Sequence, residues 1–80
     1  MERFQANLLR DGKTVLDGVA GNFTDGGGAA GFFGAPAGTT LTTGGRFQLQ
    51  LSDGRLVGVK LDKVIPNGHR PAIVHFSPAE

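Results

Sequence analysis

Few side chains in this sequence could do chemistry, and their spacing decides which chemistry is plausible. The chain has two histidines, His69 and His75. With Asp62 or Asp53 as a third ligand they could hold a metal, but a catalytic site needs three well-placed protein ligands and an open position. The spacing fixes no such geometry, and a histidine on a strand surface is the plainer expectation. The two serines are Ser52, in a turn, and Ser77, near the C-terminus. Neither belongs to a sequence pattern of nucleophile, base and acid, and triads are recognised by geometry rather than order. Gly26-Gly27-Gly28-Ala29-Ala30-Gly31 formally matches G-x-G-x-x-G. That pattern carries weight only when a helix follows and points its N-terminus at a pyrophosphate. Here Phe32-Phe33-Gly34-Ala35-Pro36 follows, which contains a glycine and a proline. The expectation is a non-enzyme with no catalytic residue, no metal site and no cofactor.

Charge offers one further candidate. Residues 41–80 carry five basic side chains (Arg46, Arg55, Lys60, Lys63, Arg70) against three acidic ones, whereas residues 1–40 carry three against four. Arg46 and Lys60 fall on the polar faces of neighbouring strands, and with Arg55 they form the candidate nucleic-acid face. Barrels that bind single strands add exposed aromatics on which bases stack. The phenylalanines of these strands, such as Phe47, point inwards by phase, so a solvated sheet face is the competing expectation.

The elements that position these residues have a period of two. Arg46-Phe47-Gln48-Leu49-Gln50-Leu51 alternates polar and apolar, as a half-buried strand does. Val57, Val59 and Leu61 continue the apolar face. Between the two runs lies Asp53-Gly54, a strong hairpin signal that fits either a type I′ turn or a G1 bulge. The N-terminus repeats the device, with Phe4, Ala6 and Leu8 on one face, then Asp11-Gly12, then Thr14-Val15-Leu16. Arg3-Phe4-Gln5 resembles Arg46-Phe47-Gln48. A duplication would produce this likeness, and so would the shared grammar of any two Asp-Gly hairpins.

Ten of the fourteen glycines fall within residues 18–45, too dense for a continuous helix. The reading there is a mobile loop at 24–28, a short strand from Ala30 to Gly34, and a turn at Ala35-Pro36-Ala37-Gly38. Thr39 to Thr43 then forms a short strand or an extended lead-in. Beyond Leu61 the apolar phase changes to Val64 and Ile65, which predicts a bulge near Asp62-Lys63. Pro66-Asn67-Gly68 reads as a turn, and Ala72 to Phe76 as the last strand.

Composition bounds the rest. With 80 residues, no cysteine and a net charge of +1, the chain reads as one small domain, residues 1–80, without disulfide staples or a dedicated polyanion-binding character. Leu, Ile, Val and Phe make up 22 of the 80 residues, enough to fold. No apolar run approaches the roughly 20 residues of a membrane span, and the N-terminus has no signal-peptide pattern. The expectation is a cytoplasmic protein with no membrane partner.

The pattern Gly31-Phe32-Phe33-Gly34-Ala35-Pro36-Ala37-Gly38, Leu41, Gly44 to Leu51, Asp53-Gly54-Arg55, and Val59, Leu61, Val64, Val74 and Phe76 resembles a loose set of small uncharacterised bacterial proteins. Their shared features are a Pro/Gly turn, a Leu-x-Asp-Gly-Arg hairpin and a closing Val-x-Phe strand. The resemblance covers residues 28–76 and implies a small β-barrel without bringing a function. The arginine motif of PilZ-type cyclic-dinucleotide receptors is missing.

The expected fold is all-β: a small five- to six-stranded antiparallel barrel, SH3-like, with an OB-type barrel as the alternative. Adjacent apolar residues in strands point to opposite faces. A one-sided core therefore leaves Leu9, Ile73 and one of Phe32 and Phe33 facing outwards. Gathered together, such residues mark an interface. The expected function is a non-enzymatic interaction module that self-associates, as a homodimer or with a protein partner. Nucleic-acid binding is the alternative, and an oligomeric small-molecule-binding protein or enzyme is a third reading.

Overall fold

The computed structural model describes residues 2–24, 30–39 and 41–79. Six strands make up the fold: β1 (Glu2–Arg10), β2 (Lys13–Phe23), β3 (Gly31–Ala35), β4 (Arg46–Leu51), β5 (Leu56–Asn67) and β6 (Arg70–Pro78). They close into a barrel in the order β1-β2-β3-β6-β5-β4, with every pairing antiparallel. Closure pairs what would otherwise be exposed strand edges. The all-β barrel expectation therefore holds at six strands.

The core follows the two-residue alternation. Phe47, Leu49 and Leu51 of β4 are buried, while Arg46, Gln48 and Gln50 are exposed. Val59 and Leu61 of β5 and Val74 and Phe76 of β6 complete the same interior. Four phenylalanines pack together: Phe4 lies 4.6 Å from Phe23 and 5.9 Å from Phe76, and Phe33 lies 5.9 Å from Phe76. The tilted and edge-on ring arrangements are those aromatic quadrupoles favour. Phe47 lies apart from this group, with the Arg10 guanidinium 5.6 Å above its ring.

Register shifts shape the barrel, two in β1·β2 and two in β5·β6, the last of them between Ile65 and Asn67. In β2, Asp17 and Gly18 together oppose Asn7, and the Gly18 N–H donates to Asn7 Oδ1 at 2.9 Å. One step further, Leu8 pairs with Leu16 but Leu9 with Thr14, which leaves Val15 unpaired. In β5, Leu61 pairs with Phe76 and Lys63 with His75, so Asp62 is the extra residue of the predicted bulge. The Ser77 hydroxyl donates to its carboxylate at 3.0 Å.

The connections follow turn chemistry. Thr39 N–H donates to Pro36 C=O, closing the expected Pro/Gly turn. Thr39 and residues 41–43 form no strand; Leu41 packs against the core, and residues 43–44 make a turn ahead of β4. The Gly44 N–H ties this segment to Leu61 C=O at 2.7 Å. The β5–β6 turn is centred on Gly68 and His69, between the paired Asn67 and Arg70. Apart from Thr24, the expected loop at 24–28 lies outside the described residues, as does most of the glycine motif.

Candidate functional site

The sequence nominated four residues for an outward apolar face, and the barrel divides them. Phe33 is fully buried and Phe32 half-buried, with Phe32 paired to His75 and Phe33 to Val74. Phe33 therefore belongs to the core, and Phe32 is the outward member of the pair. Leu9 is also buried, at 8% exposure, so its expected outward role is corrected. The register shift between Leu8 and Leu9 bends the hairpin at this point. Both leucines are covered, and the exposed apolar position passes to the unpaired Val15. Ile73 is outward as expected, at 39% exposure.

A residue outside that set joins the face. Ile65 is directly opposite Ile73 across β5 and β6 and is 37% exposed. The two isoleucines form a cross-strand pair, the kind of contact that stabilises a sheet face, here on the solvent side. Phe32 and Gly34 flank it on β3, and Gly34 pairs with Ile73. The Phe32 ring lies 6.0 Å from the His75 ring.

Beside this apolar ridge runs a groove of about 500 Å³, bordered by Arg3, Gln5, Asn22, Phe32, Ser52 and Ile73. Ala20 and Gly34, which carry a methyl group and no side chain respectively, also line it. A Cβ added at Gly34 would meet only Pro71, at 3.6 Å, so the space above that glycine is open. Among the described residues of the lining, Arg3 carries the one formal charge. The face thus has a ridge and a trough side by side.

The basic candidates also divide. Arg46 and Lys60 are direct cross-strand partners, both exposed, and they border one recess of about 270 Å³ with Gly44 and Ala79. Arg55 is elsewhere, in the hairpin turn, where its Nε donates to Asp53 Oδ2 at 2.7 Å. The Arg55 backbone N–H donates to Asp53 Oδ1 at 3.0 Å. That backbone bond, reinforced by the guanidinium, holds the Asp53 carboxyl below its ordinary value. Among the described residues of β4 and β5, the outward positions near Arg46 and Lys60 are Gln48, Gln50, Leu56 and Gly58, with no aromatic for stacking.

The remaining chemical candidates do not converge. His69 is in the β5–β6 turn and His75 is on the outer face beside Phe32 and Lys63. Ser77 bonds to Asp62, and Ser52 borders the groove. Among the described residues no group of three or more metal-ligating side chains is assembled. No helix among them is long and apolar enough to cross a membrane.

Fold and surface together define a small closed antiparallel barrel with one apolar, grooved outer face. Comparison with protein-family models, curated proteins and solved structures found no match.

Proposed function

We propose that this protein is a non-enzymatic interaction module, acting in the cytoplasm, that pairs with a second copy of itself through the outer face of β3, β6 and β5. The observation that carries this reading is the ridge of Phe32, Ile65 and Ile73 beside the open trough over Ala20 and Gly34. A two-fold interface brings the same patch of both copies together, so the patch must complement itself. A ridge adjoining a trough meets that requirement. A standard interface covers about 800 Å² per partner, roughly a sixth of the 5050 Å² surface of this chain. The ridge supplies the apolar centre, and Arg3, Gln5, Asn22 and Ser52 around the groove supply the polar rim.

Analytical ultracentrifugation of three proteins tests the reading. The wild-type chain sediments as a dimer at high micromolar concentration, and Ile73→Asp as a folded monomer. Gly34→Val adds only a side chain over the trough, in a strand position without positive φ. It leaves the monomer as stable or more so, since valine suits a strand better than glycine, and it abolishes pairing. A monomeric wild type rejects the whole reading. A dimeric Gly34→Val beside a monomeric Ile73→Asp keeps the face and rejects the trough.

Nucleic-acid binding is the second reading, supported by Arg46 lying directly opposite Lys60. Like charges so placed repel, and a bridging phosphate relieves the repulsion. Binding of an oligonucleotide that weakens steeply with salt and is lost in Arg46→Gln supports this reading; salt-independent or absent binding rejects it.

A further inference from the structure

Three asparagines, Asn7, Asn22 and Asn67, occupy three different environments in this protein. Asn7 accepts a hydrogen bond from the Gly18 N–H at 2.9 Å, which fixes its side chain against the β2 bulge. Asn22 is half-buried within β2, paired with Arg3 and Phe32, and is followed by Phe23. Asn67 is exposed at the end of β5 and is followed by Gly68. Gly68 is itself exposed, lies in the two-residue turn outside the strand ladder, and has φ +63°.

We propose that Asn67-Gly68 is a site of spontaneous covalent modification, deamidating through a cyclic imide while Asn7 and Asn22 remain intact. The Gly68 backbone nitrogen, deprotonated by hydroxide, attacks Cγ of Asn67. A new bond forms between that nitrogen and Cγ, the bond from Cγ to Nδ2 breaks, and Nδ2 leaves as ammonia after taking a proton from water. Water then opens the five-membered imide at either carbonyl. One opening yields aspartate. The other yields isoaspartate, in which the backbone runs through the former side chain. No oxidant or cofactor enters the balance. The reaction needs a following residue without a Cβ to crowd the attack, an amide free of other bonds, and access for water. Asn67 precedes a glycine, is exposed and has no side-chain hydrogen bond among the described residues, whereas Asn7 is held by Gly18 and both Asn7 and Asn22 precede bulky residues.

The modification changes the hairpin tip in a defined way. One carboxylate added to a formal charge of +1 brings the net charge to zero. Aspartate at this position faces its strand partner Arg70. Isoaspartate inserts an extra methylene into the backbone two residues from the Ile65–Ile73 pair, where a change of length disturbs register.

Trypsin separates the three asparagines, because cleavage after Arg3 and Arg10, after Lys13 and Arg46, and after Lys63 puts each on its own fragment. The Arg70-Pro71 bond resists cleavage, so the last fragment runs from Val64 to the end. The folded protein is incubated in mildly alkaline buffer, and the fragments are followed by mass spectrometry and by isoaspartate-specific methyl transfer. The Val64 fragment gains the mass of amide-to-acid conversion and methyl-accepting isoaspartate at least about tenfold faster than the other two. Asn67→Gln, which must close a larger ring, stays unconverted. Equal rates at the three sites overturn the proposal. So does an intact Asn67 in the folded protein that converts only in denaturant, because the turn then protects the site instead of exposing it.

Discussion

The barrel consists of two three-stranded runs, β1–β3 and β4–β6, connected in the same order and joined through β1·β4 and β3·β6. The spacing of 43 that carries Phe4 to Phe47 also carries Asn7 to Gln50, and these two residues are direct partners across β1·β4. The halves differ in how they turn and how they close. In the first hairpin Arg10 pairs with Lys13, so Asp11-Gly12 is a two-residue loop with both φ angles positive, +52° and +79°. That is a type I′ turn. In the second, Gly54 N–H donates to Leu51 C=O and Leu51 N–H to Arg55 C=O, which makes a three-residue loop. Only Gly54 there has positive φ, at +93°, so the G1-bulge alternative is the one realised. The same Asp-Gly pair therefore makes different turns according to where the ladder stops. The extra residue before Asp11 lets the first ladder run on through Leu9 and Arg10, and only a two-residue loop remains.

The halves also close differently, and that difference gives the largest expected effect. In the first, Gly21 pairs with Phe33 and Gly31 with Phe23. A Cβ at Gly21 would collide with the Phe32 carbonyl oxygen, and one at Gly31 with the Asn22 carbonyl oxygen. Backbone cannot yield as a flexible side chain can. Gly31→Ala and Gly21→Ala each cost about 3 kcal/mol, the upper range for overpacking. In the second half, the β5·β6 pairing carries side chains, with Val64 opposite Val74. Gly58 of β5 is open, with Ala79 at 3.8 Å from an added Cβ. Gly58→Ala leaves stability within about 0.5 kcal/mol of wild type. Urea midpoints of the three variants decide it; similar losses at all three sites would show that the halves do not close in distinct ways.

What could be read from the sequence was local. The alternation of 46–51 names the buried residues of β4 correctly because one face is polar throughout. The Asp62 bulge was legible because the apolar phase changes there. That one of Phe32 and Phe33 faces outwards follows from alternation, but which one depends on pairing β3 with β6, a contact between distant segments. Leu9 defeated the same argument because β2 carries its extra residue opposite β1, and nothing in residues 8–9 announces it. Ile65 went unnoticed because a phase change hides which of two adjacent apolar residues turns outwards. The trough was illegible for a similar reason. Ala20 and Gly34 line one groove only after β2 and β3 are placed side by side.

A smaller effect distinguishes the two aspartates. Asp11 itself occupies the left-handed region, where a Cβ is costly and aspartate is among the residues that tolerate it best. Asp53 does not; its role is to bind Arg55. Asp11→Gly relieves the conformational cost while adding freedom to the unfolded state, and the two offset to within about 0.5 kcal/mol. Asp53→Gly adds the same freedom and loses both hydrogen bonds, so it is the more destabilising of the two. Denaturation midpoints that fall equally for both would erase the distinction between the turns. The glycines behave alike, each of Gly12→Val and Gly54→Val costing more than about 1 kcal/mol, because both need positive φ.

The smallest effect is pH-dependent and belongs to the second turn. The Arg55 backbone N–H, then its guanidinium, favour ionised Asp53, so the carboxyl titrates below its ordinary value of 3.8. A group whose folded value is depressed adds stability that is present above its unfolded value and is lost as pH falls through the folded one. At neutral pH the contribution is therefore complete, and acidification below the ordinary carboxylate range removes it. Because Asp53 is solvent-exposed, the pair is screened and the effect is slight. Asp53→Asn keeps an acceptor oxygen for the Arg55 N–H but not the charge. Its denaturation midpoint is lower than that of wild type at neutral pH, and the gap narrows as pH falls below the carboxylate range. A gap that stays constant in acid would assign the role of Asp53 to turn geometry alone, and the hydrogen bond from the Arg55 N–H, rather than the ion pair, would then separate this turn from the first.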